Sequence, residues 1–256
     1  MAANKVKLQI KNLRKVFEGK NGDTVAVDGV SFDVYDNEFL VLLGPGQCGK
    51  TVLLNMIAGL ETPTEGEIIL DGTEVKGHDR KIGMVLQKTA LMPWKTVMHN
   101  VEIGPKWRGV PKSERTATAQ KFIDLVGLHG FEKSYPAQLS GGMKQRVGIA
   151  RAYANDPEIL IMDEPFGALD AQTRYAMEEE IAKIWQLQKR TVIFVTNNIE
   201  EACFLGDRII LFSNRPAKIK EIYPNELPRP RDMISDEFLK LRTAISDNTD
   251  LAIDMK

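Results

Sequence analysis

Phe39-Leu40-Val41-Leu42-Leu43-Gly44-Pro45-Gly46-Gln47-Cys48-Gly49-Lys50-Thr51 joins an apolar run to a glycine-rich turn and the start of a helical pattern. Its first five residues form a continuous apolar run, as a strand buried on both faces requires. The run stops at a glycine-rich turn, and Val52, Leu53, Met56 and Ile57 then follow at helical spacing. Gly44 to Thr51 satisfies G-x-x-x-x-G-K-[ST]. In such a loop the glycines let backbone N–H groups converge on one concavity at a helix start, where phosphate oxygens bind. Lys50 is placed to reach the β- and γ-phosphates, and Thr51 to offer its hydroxyl to Mg²⁺. Cys48 reads as a small loop residue and not as a nucleophile.

Upstream, Val6 to Ile10 alternates apolar and polar residues, and Val25 to Val27 and Val30 to Tyr35 follow across turn signals at Asn21-Gly22-Asp23 and Asp28-Gly29. Downstream, Ile159 to Met162 ends at Asp163, Val192 to Val195 ends at Thr196, and a further run covers Ile209 to Phe212. The segment from about 88 to 156 shows helical periodicity; within it Ser113 is expected to cap a helix carrying Ala117, Phe122, Leu125 and Val126. Buried strands separated by helices, with a helical insertion, fit an α/β nucleotide-binding fold. After Arg215 the chain is proline-rich and then offers one short amphipathic helix near Ser235 to Ile245.

The whole chain limits the function classes. It has 256 residues, 34 Lys plus Arg against 35 Asp plus Glu, and a formal net charge of -1. That balance argues against a dedicated nucleic-acid binder. With 43% hydrophobic and 27% charged residues the chain is globular and not disordered. No apolar run approaches the roughly 18 residues of a membrane span. The N-terminus lacks the apolar core of a secretory signal. Cys48 and Cys203 form no disulfide framework, which fits a reducing cytosol, and His78, His99 and His129 have no zinc-ligand spacing.

Two further segments carry chemistry. Asp163-Glu164 closes a four-residue apolar run, so both carboxylates emerge at the carboxyl end of a buried strand, where ligands of open α/β sheets bind. Asp163 would help hold Mg²⁺ through water, and Glu164 is placed to polarise an attacking water as general base. In Leu139-Ser140-Gly141-Gly142-Met143-Lys144-Gln145-Arg146, Ser140 can cap a helix while the glycines leave N–H groups open at its positive end. Taken alone that is a plain helix start after a turn; in a chain that already has a phosphate loop it reads as a second anion site.

Together these segments resemble the ATP-binding subunit of an ABC transporter over nearly the whole chain. The stretch from Leu139 matches the family signature, and the order of phosphate loop, signature and acidic strand is the family's. The resemblance implies a P-loop NTPase core of mainly parallel sheet, with an N-terminal antiparallel β region and an inserted helical lobe at about 88–156. It implies a single ATPase domain over 1–215 and a short extension over 216–256. It also implies ATP and Mg²⁺ as cofactors and a dimer sandwiching two nucleotides, the signature of one subunit closing on the ATP of the other. Nucleotide contact falls to Phe17, Gly44, Pro45, Gly46, Gln47, Cys48, Gly49, Lys50, Thr51, Val52, Ser140, Gly141, Gly142 and Asp170. Catalysis falls to Glu164, Lys50, Gln87 and Asn197, and the metal to Thr51, Gln87 and Asp163.

Phe17 matches the aromatic residue that stacks on adenine, or else is a core phenylalanine at a strand end. Asp170 matches the loop that communicates across the dimer, or is only a helix cap. Leu91-Met92-Pro93-Trp94 lies where such subunits receive coupling helices from transmembrane permease partners; Trp94 is a docking residue or a core residue. The stretches Ala90 to Val97 and Asp163 to Arg174, and the short tail with Pro228-Arg229-Pro230-Arg231, look like importers of nitrate, sulfonates, taurine and related solutes. The two tail arginines read equally as a solvated linker. The group implies a peripheral place on the cytoplasmic face of the inner membrane and an extracytoplasmic solute-binding protein in the complete system, with no nucleic-acid partner.

The chain departs from the pattern at Asn197, where the family has a histidine that hydrogen-bonds the γ-phosphate. Asn can donate from its amide but cannot become a cation. Losing a charge-assisted contact to a developing anion costs a few kcal/mol, on the order of a hundredfold in rate. Three readings stay open: a second, different ATPase subunit completes the site, Glu164 alone suffices, or the residue was substituted to trap an ATP-bound state. Besides hydrolysis, the chain can be read as an ATP-gated dimerisation module. Val52 stands where a second hydroxyl is common, and Gln47 where glycine is common.

Overall fold

A computed structural model of the chain describes residues 5–20 and 22–249. Asn21 of the first turn signal, and residues 1–4 of the N-terminus read against a secretory signal, lie outside them. Along the chain the elements are β1 (Val6–Phe17), β2 (Thr24–Tyr35), β3 (Phe39–Leu43), α1 (Lys50–Ile57), β4 (Glu65–Leu70), β5 (Thr73–Glu74) and β6 (Ile82–Val85). Helices α2 (Val97–Val101), α3 (Ile103–Trp107), α4 (Lys112–Leu125) and α5 (Gly141–Ala154) follow. The chain continues with β7 (Ile159–Asp163), α6 (Ala171–Leu187), β8 (Thr191–Thr196), α7 (Ile199–Leu205), β9 (Arg208–Phe212), β10 (Ile219–Pro224) and α8 (Asp236–Asn248). Two compact units result, Met1–Asp79 with Arg190–Lys256, and Arg80–Lys189.

In the first unit, an antiparallel sheet runs β2-β1-β4-β5. The two strands expected at Val25–Val27 and Val30–Tyr35 are one strand. The Asp28-Gly29 signal marks a bulge and not a turn: Leu13 faces Val30 while Lys15 faces Val27, so β2 carries one extra residue. Gly29 absorbs the irregularity with φ 68°. The unit's parallel strands centre on β3, which pairs with β8 in the register Leu43 to Thr196 and with β9 in the register Leu43 to Leu211. Every residue of β3 and β8 is buried, which is why their sequences run apolar without alternation.

Strand β10 lies inside the stretch read only as a proline-rich tail. It pairs antiparallel with β9 and is an edge strand, where Pro224 is tolerated. Ala217 ties the connection back to β2, donating its N–H to the Ala26 carbonyl at 2.9 Å and accepting from the Asp28 N–H at 3.1 Å. The tail arginines are not a solvated linker. Arg231 is 7% exposed, and Arg229 donates to Asp207 at 2.7 Å. The short helix expected near Ser235 is α8, capped by the Ser235 hydroxyl.

In the second unit, β6 and β7 pair in parallel, Ile82 opposite Ile159, and helices α2 to α5 fill residues 97–154. Ser113 does not cap α4. The helix starts two residues earlier, at Lys112, with Pro111 at the cap position and no side-chain cap. Its buried face is Ala119, Phe122, Ile123 and the following Val126, while Ala117 is exposed and Leu125 half-buried. Trp94 is 72% exposed, which excludes the core reading. The units together have the expected α/β architecture, with mainly parallel core strands and an antiparallel N-terminal region.

Candidate nucleotide site

The phosphate loop begins where β3 ends, flanked by β8 and β9. Helix α1 starts at Lys50, and its cap, Gly49, brings no side chain to the first-turn N–H groups. Those donors are the feature that suits the loop to an anion. Gly49 has φ 124°, and a Cβ there would stand 2.3 Å from the Ala26 carbonyl oxygen and 3.1 Å from Cβ of Ala217. The loop is thus folded directly onto β2 and the β9–β10 connection, at a position only glycine fits. At Gly44 a Cβ would meet that of Phe212 at 3.0 Å, whereas at Gly46 nothing lies within 4 Å.

Lys50 is 3% exposed, and its ammonium donates to the carbonyls of Gly44 and Pro45, each at 2.7 Å. The loop therefore wraps its own lysine, holding a desolvated cation at its centre. Cys48, 1% exposed, has Sγ 3.8 Å from Lys50 Nζ and fills the inside of the loop. Thr51 is exposed at the helix start and Val52 is half-buried. Gln47 has φ 60°. The left-handed conformation at that position accounts for glycine being common there.

Because Leu43 and Thr196 are paired, Gly44 and Asn197 leave neighbouring strands at the same end, about 5 Å apart in the pairing direction. Asn197 is exposed. Asn198 behind it caps α7, its side chain accepting from the N–H groups of Glu200 at 2.9 Å and Glu201 at 3.2 Å. Phe17, at the end of β1, is 39% exposed, so it is not a core phenylalanine.

The second unit gathers the remaining residues into two groups. Val85 and Met162 are paired, so Gln87 and the Asp163-Glu164 pair leave adjacent strands at one end. Asp163 is 8% exposed, Glu164 is half-buried with φ 41°, and Gln87 is exposed. Gly167 sits between them: a Cβ there would lie 3.2 Å from Gln87 Nε2, 3.5 Å from the Glu164 carbonyl oxygen and 3.8 Å from Glu164 Oε2. Sequence reasoning gave Gly167 no role; its bare Cα leaves room for the Gln87 amide beside the Glu164 carboxylate.

The other group joins Ser140, Gly141 and Gly142 to Asp170 through Thr173, which sequence reasoning also missed. Ser140 caps α5, accepting from the Met143 N–H at 3.2 Å. Asp170 caps α6, accepting from the Thr173 N–H at 3.0 Å and hydroxyl at 2.7 Å. Those bonds, the backbone one first, hold the Asp170 carboxyl below its usual pKa. A Cβ on Gly142 would meet Cγ2 of Thr173 at 2.9 Å, so the signature helix and α6 touch at a glycine. The cap spacing Asp170 to Thr173 was the available signal. His129 lies with Asp124 and Glu132 in an exposed surface cluster on this unit, apart in sequence from both groups.

Among the described residues no helix is long and apolar enough to cross a membrane. Residues 27–167 match the family model described as ABC transporter. An uncharacterized ABC transporter ATP-binding protein of Methanocaldococcus jannaschii is 55% identical over 94% of this chain and 90% of its own length. The taurine import ATP-binding protein of Roseobacter denitrificans is 46% identical over 84% of this chain and 81% of its own length, and the nitrate import ATP-binding protein of a Synechocystis strain is 43% identical over 92% and 88%. Among solved structures, a dimeric ATP-binding cassette in a post-hydrolysis state, bound to ADP and Pi, is similar with a TM-score of 0.76 and 31% identity, covering 86% of this chain and 99% of that one. A phosphate loop wrapped round its lysine, an acidic strand end and a glycine-started signature helix, with these likenesses over most of the chain, place it in the ABC transporter family, whose ATP-binding subunits are ATPases.

Proposed function

We propose that the chain is the ATP-hydrolysing subunit of an importer for a small solute of the taurine, nitrate and sulfonate kind. It works as a dimer on transmembrane permease subunits, at the cytoplasmic face of the inner membrane, with a solute-binding protein outside. The observation that carries the reading is the buried Lys50, held 2.7 Å from two loop carbonyls with Asn197 leaving the neighbouring strand.

The reaction is an in-line displacement at the γ-phosphorus by water. Lys50 and the N–H groups of Gly44 to Val52 hold the phosphates and stabilise the charge that develops on them. Phe17 stacks on the adenine. Glu164 accepts the proton of the attacking water, and the amides of Gln87 and Asn197 orient that water and the γ-phosphate. Ser140, Gly141 and Gly142 bind the ATP of the partner subunit, and Asp170 conveys closure across the dimer. Thr51, Gln87 and Asp163 offer hydroxyl, amide and carboxylate oxygens, a hard donor set that fits Mg²⁺, which when bound neutralises phosphate charge. Leu91 to Trp94 receives the permease. The ATPase domain covers 1–215 with its helical lobe at about 88–156, and 216–256 is the extension.

The amide at Asn197 favours a second reading, an ATP-gated dimer that hydrolyses weakly and pairs with a different ATPase subunit. Steady-state turnover of the chain and of Asn197→His separates the two. A working homodimer turns over ATP unaided, and Asn197→His raises that rate further, by up to about a hundredfold. A rate gained only in Asn197→His, with nucleotide bound in both, supports the second reading.

A further inference from the structure

Helix α7 begins two residues after Asn197 and has only seven residues, too few to be stable alone. Its N-terminus is capped by Asn198. Its C-terminal carbonyls are satisfied by side chains from the end of the chain. Asn225 donates to the carbonyls of Cys203 at 2.8 Å and Gly206 at 2.9 Å. Arg231 donates to those of Phe204 at 2.8 Å and Cys203 at 3.2 Å, and Arg229 to that of Leu205. Buried cations at a helix C-terminus meet the negative end of its dipole.

The last helix, α8, packs on α7 with Phe238 and Ile245 buried. It reaches the other end of α7 through Arg242, which bonds Glu200 at 2.7 Å. Asn197, Asn198 and Glu200 on one side, and Arg242, Thr243 and Ser246 on the other, line a common groove. The segment after Asp207 thus holds α7 at both ends, and α7 carries the turn that presents Asn197.

We propose that this C-terminal segment is a positioning device for Asn197, with Arg242 and Glu200 as its positioning residues at the end nearest the γ-phosphate. The inference rests on the reading of Asn197 as a nucleotide-facing residue. The chemistry calls for such a device. A carboxamide ends closer to the backbone than the distal nitrogen of an imidazole, so it reaches a phosphate oxygen only if the backbone is held forward. A loss of 1 Å in alignment is worth up to about a hundredfold in rate.

The Arg242–Glu200 pair makes the idea testable, because both side chains are about two-fifths exposed and such pairs contribute under about 1 kcal/mol to stability. Arg242→Gln and Glu200→Gln in the full chain are expected to lower kcat for ATP about fivefold. KM and the unfolding midpoint stay within error, and the double variant is no worse than either single one. In an Asn197→Ala background, Arg242→Gln is expected to have no further effect. A normal kcat in Arg242→Gln, while Glu164→Gln is inactive, would overturn the positioning role and leave the site reading intact. So would a loss that persists in the Asn197→Ala background. Absence of turnover in the unaltered chain would sink the site reading and this inference with it.

Discussion

Gly49→Ala is the most severe test of how the phosphate loop is built. The new Cβ would stand 2.3 Å from the Ala26 carbonyl oxygen, a backbone atom that also accepts from the Ala217 N–H at 2.9 Å. Relief therefore requires moving β2, the β9–β10 connection or the loop itself. The backbone sits at φ 124°, a conformation that costs a residue with a Cβ about 1–3 kcal/mol, and the overlap adds about 1–3 kcal/mol. A loss of about 2–6 kcal/mol is expected, or roughly 2–4 °C in unfolding midpoint for each kcal/mol at this chain length. Gly46→Ala in the same loop is the control, because nothing lies within 4 Å of its Cβ and its φ is not in the left-handed range. Urea unfolding of the two variants beside the unaltered chain measures both. Equal stability of Gly49→Ala and Gly46→Ala, each within about 1 kcal/mol of the parent, would show that the loop does not depend on a bare Cα at position 49.

Gln47→Gly is expected to raise the urea midpoint slightly. It removes a left-handed cost of about 1–2 kcal/mol against about 0.4–1 kcal/mol of added chain entropy; a lower midpoint would contradict it. Burial pushes the Cys203 thiol up to about 12. The folded chain then keeps a proton that the unfolded chain loses above its ordinary value near 9. The contribution is complete below pH 9 and is lost as pH rises toward 12. Stability is therefore expected to fall between pH 9 and pH 11, less steeply in Cys203→Ala; identical slopes would contradict it. Trp94→Ala, at a residue 72% exposed, is expected to change the midpoint by under about 0.5 kcal/mol and to leave turnover of the isolated subunit unchanged. A large loss of stability would show that the residue packs.

The parts legible in the sequence were those where one local rule decides. Phe39 to Leu43 has the continuous apolar run that a doubly buried strand requires, and the glycines and Lys50 after it name the chemistry. The missed parts depend on partners far away in the chain. Asp28-Gly29 has turn composition, but the bulge it makes exists only because β1 pairs on both sides of it. Pro224 hid a strand because its tolerance depends on an edge position. Arg229 and Arg231 looked solvated because their acceptors, the end carbonyls of α7, lie more than twenty residues earlier. Ser113 lost the cap to a proline because Pro111 already sets an extended entry to α4. Gly167 and Thr173 gained roles only from what stands beside them, Gln87 in one case and Gly142 in the other.

If this chain hydrolyses ATP with Glu164 as base, turnover must depend on that carboxylate. Phosphate release by the purified chain with Mg²⁺ and saturating ATP, beside Glu164→Gln, tests it most directly. Steady turnover is expected in the unaltered chain, and in Glu164→Gln a loss of at least about a hundredfold with ATP still bound. Equal rates in the two proteins, or no turnover in either, would contradict it.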